Sequence, residues 1–412
     1  MLYDKVCRED VLALAYGQVK ANGGAPGIDK QTFDHIEGKI GLERFLGEIQ
    51  GKLLAKRYRP QPVRRVYIPK ADGSKRPLGI PVIEDRVVQA AVKIVIEPLF
   101  EADFKDFSYG FRPRKSALQA LGEIRKWINF GCVHVVDADL KSYFDTIPHD
   151  KLLISVRSRV IDRSVVKLIA MWLDAGVMED MQVRKETTGT PQGGVISPLL
   201  ANLYLHWLDR YWETKGFGEK RHDAHIVRYA DDFVILCKKE PEKYLAEATK
   251  VLDRLGLSLN AQKTRIVDVR EESFDFLGNR FARQPSKRTG KVNTYFYPTP
   301  KAMASVKKKI REVVRTGQHH DLPVLIKEQV NPILRGWGNY FKTGNSRLHL
   351  KSIANYTMWT LCIMLRKKHK KRSKGWRDHP PSWFYEYHGL FKLPSLVVTG
   401  QENSRYARSV PS

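Results

Sequence analysis

Two adjacent carboxylates, Asp231 and Asp232, interrupt an otherwise apolar stretch that runs from His225 to Cys237 as HIVRYADDFVILC. Like charges side by side in apolar surroundings are unfavourable unless something offsets them. A divalent cation would do so, and oxygen-rich carboxylate sites suit Mg²⁺. The plain alternative is a solvated acidic turn. Further acids stand in a second apolar run, where Val133, Val135 and Val136 lead to Asp137 and Asp139. An acid at the end of such a strand is a common place for a metal ligand, and equally a common helix cap. A third stretch, Thr187 to Asp209, gathers Gly189, Gln192, Gly193 and Gly194 ahead of an apolar helix. Glycines there let backbone approach a ligand closely. Neither the Walker pattern nor GxGxxG fits it, so it is no standard phosphate loop and reads equally as a structural one.

The elements that must position these groups follow from periodicity. Val227, Tyr229, Phe233 and Ile235 have strand character, which predicts a β-hairpin with Asp231 and Asp232 at its tip. Arg64 to Pro81 predicts a second hairpin turning at Asp72-Gly73 and crowded with Arg64, Arg65, Lys70, Lys75 and Arg76. Those cations either guard a sheet edge or meet phosphates. Residues 1–60 read as helical, broken at NGGAPGID (Asn22 to Asp29). Helices are predicted over Asp85 to Phe100, onward from Ser116 through Trp127, over Leu152 to Leu173 and over Tyr244 to Leu255. Tyr109, Phe111, Arg112, Arg114 and Lys115 alternate aromatic with basic, which suits either stacking on nucleic acid or a core with solvated cations. LSLNAQKTRIVDV (Leu257 to Val269) and FDFLGNRFA (Phe274 to Ala282) predict strands. After Pro300 the chain turns basic and helical, with Lys307, Lys308, Arg335 and Trp337 prominent, and Arg366 to Arg377 adds eight Lys/Arg without an acid.

Composition narrows the partners. The 412 residues carry 71 Lys+Arg against 45 Asp+Glu, a net charge of +26, with 42% apolar residues. Cores can therefore form, and the charge points to a polyanion, nucleic acid before an anionic membrane surface. A membrane is disfavoured because no long uncharged apolar run and no signal-peptide pattern is present. Cys7, Cys132, Cys237 and Cys362 are scattered with no CxxC pair, which argues for a reducing, cytoplasmic setting and against a disulfide framework or zinc finger. There is no internal repeat.

The order of these features resembles the reverse transcriptases, specifically the group II intron maturase branch. The motifs that carry the resemblance are Arg228-Tyr229-Ala230-Asp231-Asp232, Thr190-Pro191-Gln192-Gly193-Gly194 with Ser197-Pro198-Leu199-Leu200, Asp137-Ala138-Asp139-Leu140 with Phe144-Asp145, Tyr109-Gly110-Phe111-Arg112-Pro113, and Arg335-Gly336-Trp337. It covers residues 10–370 and implies an α+β right-hand polymerase. Its expected parts are an N-terminal extension (1–60), fingers and palm (61–295), a helical thumb or maturase domain (296–365) and a basic DNA-binding-like tail (366–412). The implied activity is RNA-directed DNA synthesis with maturase assistance to splicing. Nucleotide addition would use two Mg²⁺ ions, or Mn²⁺, roughly 3.5–4 Å apart. By resemblance Asp139, Leu140, Asp231 and Asp232 form the metal set, with Asp139 preferred over Asp137 and Asp145 because the family's aromatic sugar gate falls five residues later, at Phe144. That ring would favour dNTPs over ribonucleotides. Lys70 and Arg76 would hold the triphosphate, Gln192 would lie over the nascent base pair, and Lys263, in the strand after the Tyr244 to Leu255 helix, would protonate pyrophosphate. Phe276, Leu277 and Gly278 match the primer grip. Arg64, Arg65, Arg112, Arg114, Lys307, Lys308, Arg335 and Trp337 would bind nucleic acid.

The implied partners are group II intron RNA, a template–primer duplex, dNTPs and target DNA. No Cys/His-rich endonuclease segment follows the thumb, so priming at a nascent or nicked DNA end is expected. Two alternatives stay open: an RNA-binding splicing cofactor whose carboxylates are dispensable, and a reverse transcriptase reassigned to phage defence or DNA repair.

Overall fold

The computed structural model describes every residue except 70–74, 180–181, 185–187, 190–192, 221, 287–288, 370–377 and 394–412. The chain divides into two compact units, Met1–Ala120 with His134–Ile266, and Leu121–Val133 with Val267–Ser412.

In the first unit the strands are β1 (Val63–Pro69), β2 (Lys75–Ile80), β3 (His134–Ala138), β4 (Val177–Glu179), β5 (Gln182–Arg184), β6 (Ala224–Tyr229), β7 (Asp232–Cys237) and the start of β8 (Arg265–Asp268). They form two four-stranded sheets, ordered β2-β1-β4-β5 and β6-β7-β3-β8. β6 and β7 make the predicted hairpin, and β3 pairs antiparallel with β7 so that Ala138 faces Phe233. Phe233, Val234, Ile235 and Leu236 are all fully buried, as a central strand requires. The short β4–β5 hairpin has no sequence signal beyond three apolar residues; it forms because Val177 and Met178 extend the β1 ladder in parallel.

Between these strands the chain is largely helical. Ile83–Glu101 and Ala117–Asn129 agree with the predicted spans, whereas the predicted Leu152–Leu173 helix is two, His149–Arg157 and Arg163–Asp174, because Asp162 caps the second by accepting the Ser164 N–H. The Asn22–Asp29 break is a loop pressed onto the Ile83–Glu101 helix: a Cβ on Gly27 would sit 2.7 Å from Val82 Cα. The buried Arg86 guanidinium donates to the Ala25 carbonyl and to that of Gly23 at 3.4 Å. One apolar core runs through this unit, from the N-terminal helices to Phe233 and Ile235.

The predicted strand over Leu257 to Val269 is corrected to β8 alone. Its first half makes a single antiparallel bridge, Leu259 to Leu140, and then turns, the N–H groups of Lys263 and Thr264 bonding back to the Asn260 carbonyl.

The second unit holds β9 (Phe274–Phe276), β10 (Asn279–Pro285) and β11 (Val292–Pro298), paired in the order β11-β10-β9. Phe274, Phe281 and Phe296 stack in a row with centroids 5.1 and 5.4 Å apart. Its helices, chiefly Pro300–Thr316, Asn331–Phe341 and Arg347–Lys368, share a separate core of Ile310, Leu334, Leu350 and Leu361. No described helix is long and apolar enough to cross a membrane.

Candidate active site

Strand register brings the carboxylates together. Tyr229 pairs with Asp232 across the hairpin, leaving Ala230 and Asp231 as the two-residue turn. One step beyond the Ala138–Phe233 pair, Asp139 leaves β3 beside Asp232. Directly opposed residues of antiparallel strands hold their Cβ atoms about 5 Å apart, so two strands suffice to converge three acids. Asp137 and Asp139 project to the same face of β3 by alternation.

The two acids of β3 have different partners. Asp137 faces Arg265, whose Nε lies 3.4 Å from Oδ2. Asp139 Oδ2 lies 3.2 Å from Lys263 Nζ and accepts from Asn260 Nδ2 at 3.2 Å. The 258–264 turn also grips the backbone here: Asn260 N–H donates to the Asp139 carbonyl, and Lys141 N–H to the Ser258 carbonyl. Lys263 thus stands in the turn before β8 and faces a carboxylate, a correction to its expected strand position. Leu140 has an apolar, buried side chain, so only its carbonyl oxygen could serve a metal.

Asp232 senses the gathering of charge. It is the one exposed residue of β7, and neighbouring protein atoms still displace part of its water. Displaced water, then Asp231, Asp139 and Asp137, push its pKa up to about 6 against the opposing pull of Lys263. These carboxylates are oxygen donors of the kind a divalent cation takes, and the repulsion they impose on Asp232 is what such a cation would relieve.

The turn itself is unusual. Ala230 adopts φ +58, a left-handed conformation that costs a non-glycine residue about 1–2 kcal/mol. Gly110 packs directly against it: a Cβ there would meet Ala230 N at 2.2 Å. Beneath lies Arg228, fully buried. Its Nε donates to Asp209 Oδ1 at 2.9 Å and its Nη2 to Oδ2 of the same carboxylate. Its Nη1 donates to Asn202 Oδ1 at 3.0 Å and to the Ala230 carbonyl at 2.9 Å. Asn202 Nδ2 in turn donates to the Gly110 carbonyl at 2.6 Å. Burial alone would raise the Asp209 pKa, but Arg228 and His206 hold it below its ordinary value.

Around this centre, Phe144 sits on the short Tyr143–Thr146 helix, only 8% exposed, edge-on to Tyr143 at 5.5 Å. Asp145 is backed by Gly189, where a Cβ would meet Asp145 Cα at 3.0 Å, and His149 Nε2 lies 2.6 Å from the Gly189 carbonyl. Gly193 approaches the Gly79 carbonyl so closely that a Cβ would stand 2.5 Å away. Lys70 and Gln192 lie outside the described residues, and Arg76 is placed by its backbone, opposite Ile68 on β2.

The proposed nucleic-acid residues divide. Arg64 and Arg65 are half-buried on β1, and Arg114 is exposed. Arg112 is corrected to a structural role: buried over the Phe104 ring, its guanidinium is spent on Glu101 and the Lys105 and Ser108 carbonyls. In the second unit, Lys308 and Arg335 are exposed, while Lys307 sits 5.4 Å over the Tyr356 ring. Trp337 packs on the core and on Phe341 at 4.7 Å, which gives it a structural task. Phe276 ends β9 opposite Asn279, and Leu277 and Gly278 form the β9–β10 turn, with φ +47 and +73. Tyr340 Oη donates to the Leu277 carbonyl at 2.8 Å.

Asn202, Asp209, Asn260 and Tyr340 were not signalled by pattern. The one clue was Arg228, a charge inside an apolar strand, which a buried partner must answer.

The reverse transcriptase (RNA-dependent DNA polymerase) family matches residues 68–281, and the group II intron maturase-specific domain matches residues 303–380. Protein YkfC of Escherichia coli (strain K12) is 36% identical over 303 residues, covering 64% of this chain and 77% of the relative. Group II intron-encoded protein LtrA of Lactococcus lactis subsp. cremoris is 29% identical over 491 residues, 98% of this chain and 80% of the relative. An uncharacterized 91 kDa protein in a cob intron of Schizosaccharomyces pombe is 28% identical over 441 residues, with the chain spanning 53% of its length. With a polymerase domain followed by a maturase domain, the chain belongs to the group II intron-encoded reverse transcriptase and maturase family.

Proposed function

We propose that RNA-directed DNA synthesis by this protein takes place at Asp139, Asp231 and Asp232, with two Mg²⁺ ions. The observation that carries this is the register of β3, β6 and β7, which sets three carboxylates from two distant stretches at one strand end. Reverse transcriptases work with divalent metal ions. When bound, the ions would activate the primer 3′-hydroxyl and neutralise the leaving pyrophosphate. Asp232, whose pKa is raised to about 6, must give up its proton to serve as a ligand. Lys263 offsets the charge of Asp139 until the ions do. It then becomes free to meet the leaving phosphate. Phe144 limits space at the sugar, and the Phe276-Leu277-Gly278 turn supports the primer strand. Residues 296–365 act as thumb and maturase domain toward intron RNA, with Lys308 and Arg335 among the exposed cations. The template–primer duplex, dNTPs and target DNA are the remaining proposed partners.

Purified protein is expected to extend a DNA primer on an RNA template with dNTPs and Mg²⁺, and the Asp231→Ala/Asp232→Ala variant to be inactive. Robust extension by that double variant ends the assignment. Splicing of the neighbouring intron at near-physiological Mg²⁺ should be accelerated by wild type and double variant alike; no acceleration by either removes the maturase role.

A further inference from the structure

We infer that Asn202, Asp209 and Arg228 form a buried positioning device that holds Asp231 and Asp232 in metal-binding geometry. This rests on the proposed assignment of those two carboxylates. None of the three residues is itself a metal ligand, because Arg228 and Asp209 are fully buried and Asn202 is 1% exposed. What they touch is the turn. A two-residue hairpin turn usually relies on Gly or Asn at its left-handed positions, and here the left-handed residue is Ala230. Such strain persists only where surrounding structure over-determines it.

Four contacts do so. Arg228 Nη1 bonds the Ala230 carbonyl from below, at 2.9 Å. Gly110 blocks the turn from the side, with no room for a Cβ. Asn202 ties both restraints together, accepting from Arg228 and donating to Gly110. Finally, the Arg228 backbone is fixed on both sides, its N–H donating to the Phe107 carbonyl and its carbonyl accepting from Tyr109 N–H. Asp209 keeps the guanidinium oriented through two of its nitrogens and leaves the cluster close to neutral. The device therefore adds geometry to the site without competing for the ions' charge. Loosening it should weaken metal binding before it weakens folding.

The test compares Asn202→Ala, Ala230→Gly and Asp231→Ala with wild type. Mn²⁺ binding to the protein on template–primer is read from the electron paramagnetic resonance of free Mn²⁺, beside the Mg²⁺ dependence of extension and the melting midpoint. For folded Asn202→Ala, about tenfold weaker Mn²⁺ binding is expected, the loss typical of groups that orient metal ligands. A matching rise in the Mg²⁺ needed for half-maximal extension should accompany it, and saturating Mg²⁺ should restore most of the rate. Ala230→Gly, which removes only a methyl, keeps the carbonyl that Arg228 bonds and relieves the left-handed strain, should shift both metal readouts the same way without lowering the midpoint. Where Asn202→Ala does not fold, Ala230→Gly decides on the same terms. Wild-type Mn²⁺ binding and an unchanged Mg²⁺ curve in the folded variants overturn the inference, as does lost extension at unchanged Mn²⁺ affinity. Activity retained by Asp231→Ala would instead reject the assignment of the site, so the two failures are distinguishable.

Discussion

At the scale of single residues, the two acids at the end of β3 differ in what surrounds them, and that difference makes a prediction. Asp139 is held by Asn260 and Lys263, whereas Asp137, two residues earlier, faces Arg265. Asp139→Asn should therefore abolish primer extension, while Asp137→Asn should cost only a small factor; comparable losses in steady-state assays would show that both acids serve the metals. Phe144 offers a second discrimination. Its ring is largely buried and packs edge-to-face with Tyr143. Phe144→Ala should create space at the sugar and raise ribonucleotide incorporation relative to dNTPs, and an unchanged preference would place the gate elsewhere. Removing so large a buried ring also costs about 3–5 kcal/mol of stability, so the melting midpoint must be read beside the selectivity.

At the scale of elements, the turn between β6 and β7 depends on a segment over a hundred residues earlier in the chain. Gly110→Ala puts a methyl 2.2 Å from the Ala230 nitrogen, closer than any contact that backbone can tolerate. The variant should lose nearly all extension activity while the second unit keeps its own core; wild-type rates would show that the turn can yield. The chemistry explains how far the sequence could be read. The hairpins, the long helices and the acidic strand ends were legible because each is encoded by local period and by turn residues. The α+β class and the polymerase family followed from their order. The short β4–β5 hairpin was not legible because a distant strand, β1, decides it, and the true extent of β8 was not because the Asn260 carbonyl claims the N–H groups of Lys263 and Thr264. The surroundings of Arg112 and Trp337 were not legible either: exposure is a tertiary property, and Arg112 is packed against Glu101 and Phe104 while Trp337 is packed against Phe341. Likewise, the Asn202–Arg228–Asp209 cluster draws on a helix and a strand with no shared pattern.

At the scale of the whole molecule, two charge effects should be measurable. The first is internal. Asp85 is buried at 2% exposure, accepting from Tyr58 Oη at 2.5 Å and from Gln61 N–H at 3.0 Å, and burial pushes its pKa up to about 7. A carboxyl whose folded pKa is raised contributes stability that is complete below its unfolded value near 4 and is lost as pH rises through about 7. Each tenfold change in proton affinity is worth about 1.4 kcal/mol, so Asp85→Asn should gain roughly 3 kcal/mol on wild type between pH 5 and pH 8. Melting midpoints at the two pH values check this, and a difference that does not move with pH removes the claim. The second effect is external. A net charge of +26 is supported by helices such as Pro300–Thr316, where Lys308, Lys309 and Arg315 are exposed. Each phosphate neutralised by such a side chain contributes about −0.9 to the slope of log affinity against log salt on duplexes and about −0.7 on single strands. Reversing all three charges should therefore make the slope for intron RNA less negative by about 2–3 and weaken binding most at low salt. Asp231→Ala, by contrast, should leave both quantities unchanged, because it alters the proposed site of synthesis and not the proposed RNA-binding helix. An unaltered slope in the triple variant would move the RNA-binding face off this helix, and a shifted slope in Asp231→Ala would mean that RNA affinity and the carboxylate site are one surface.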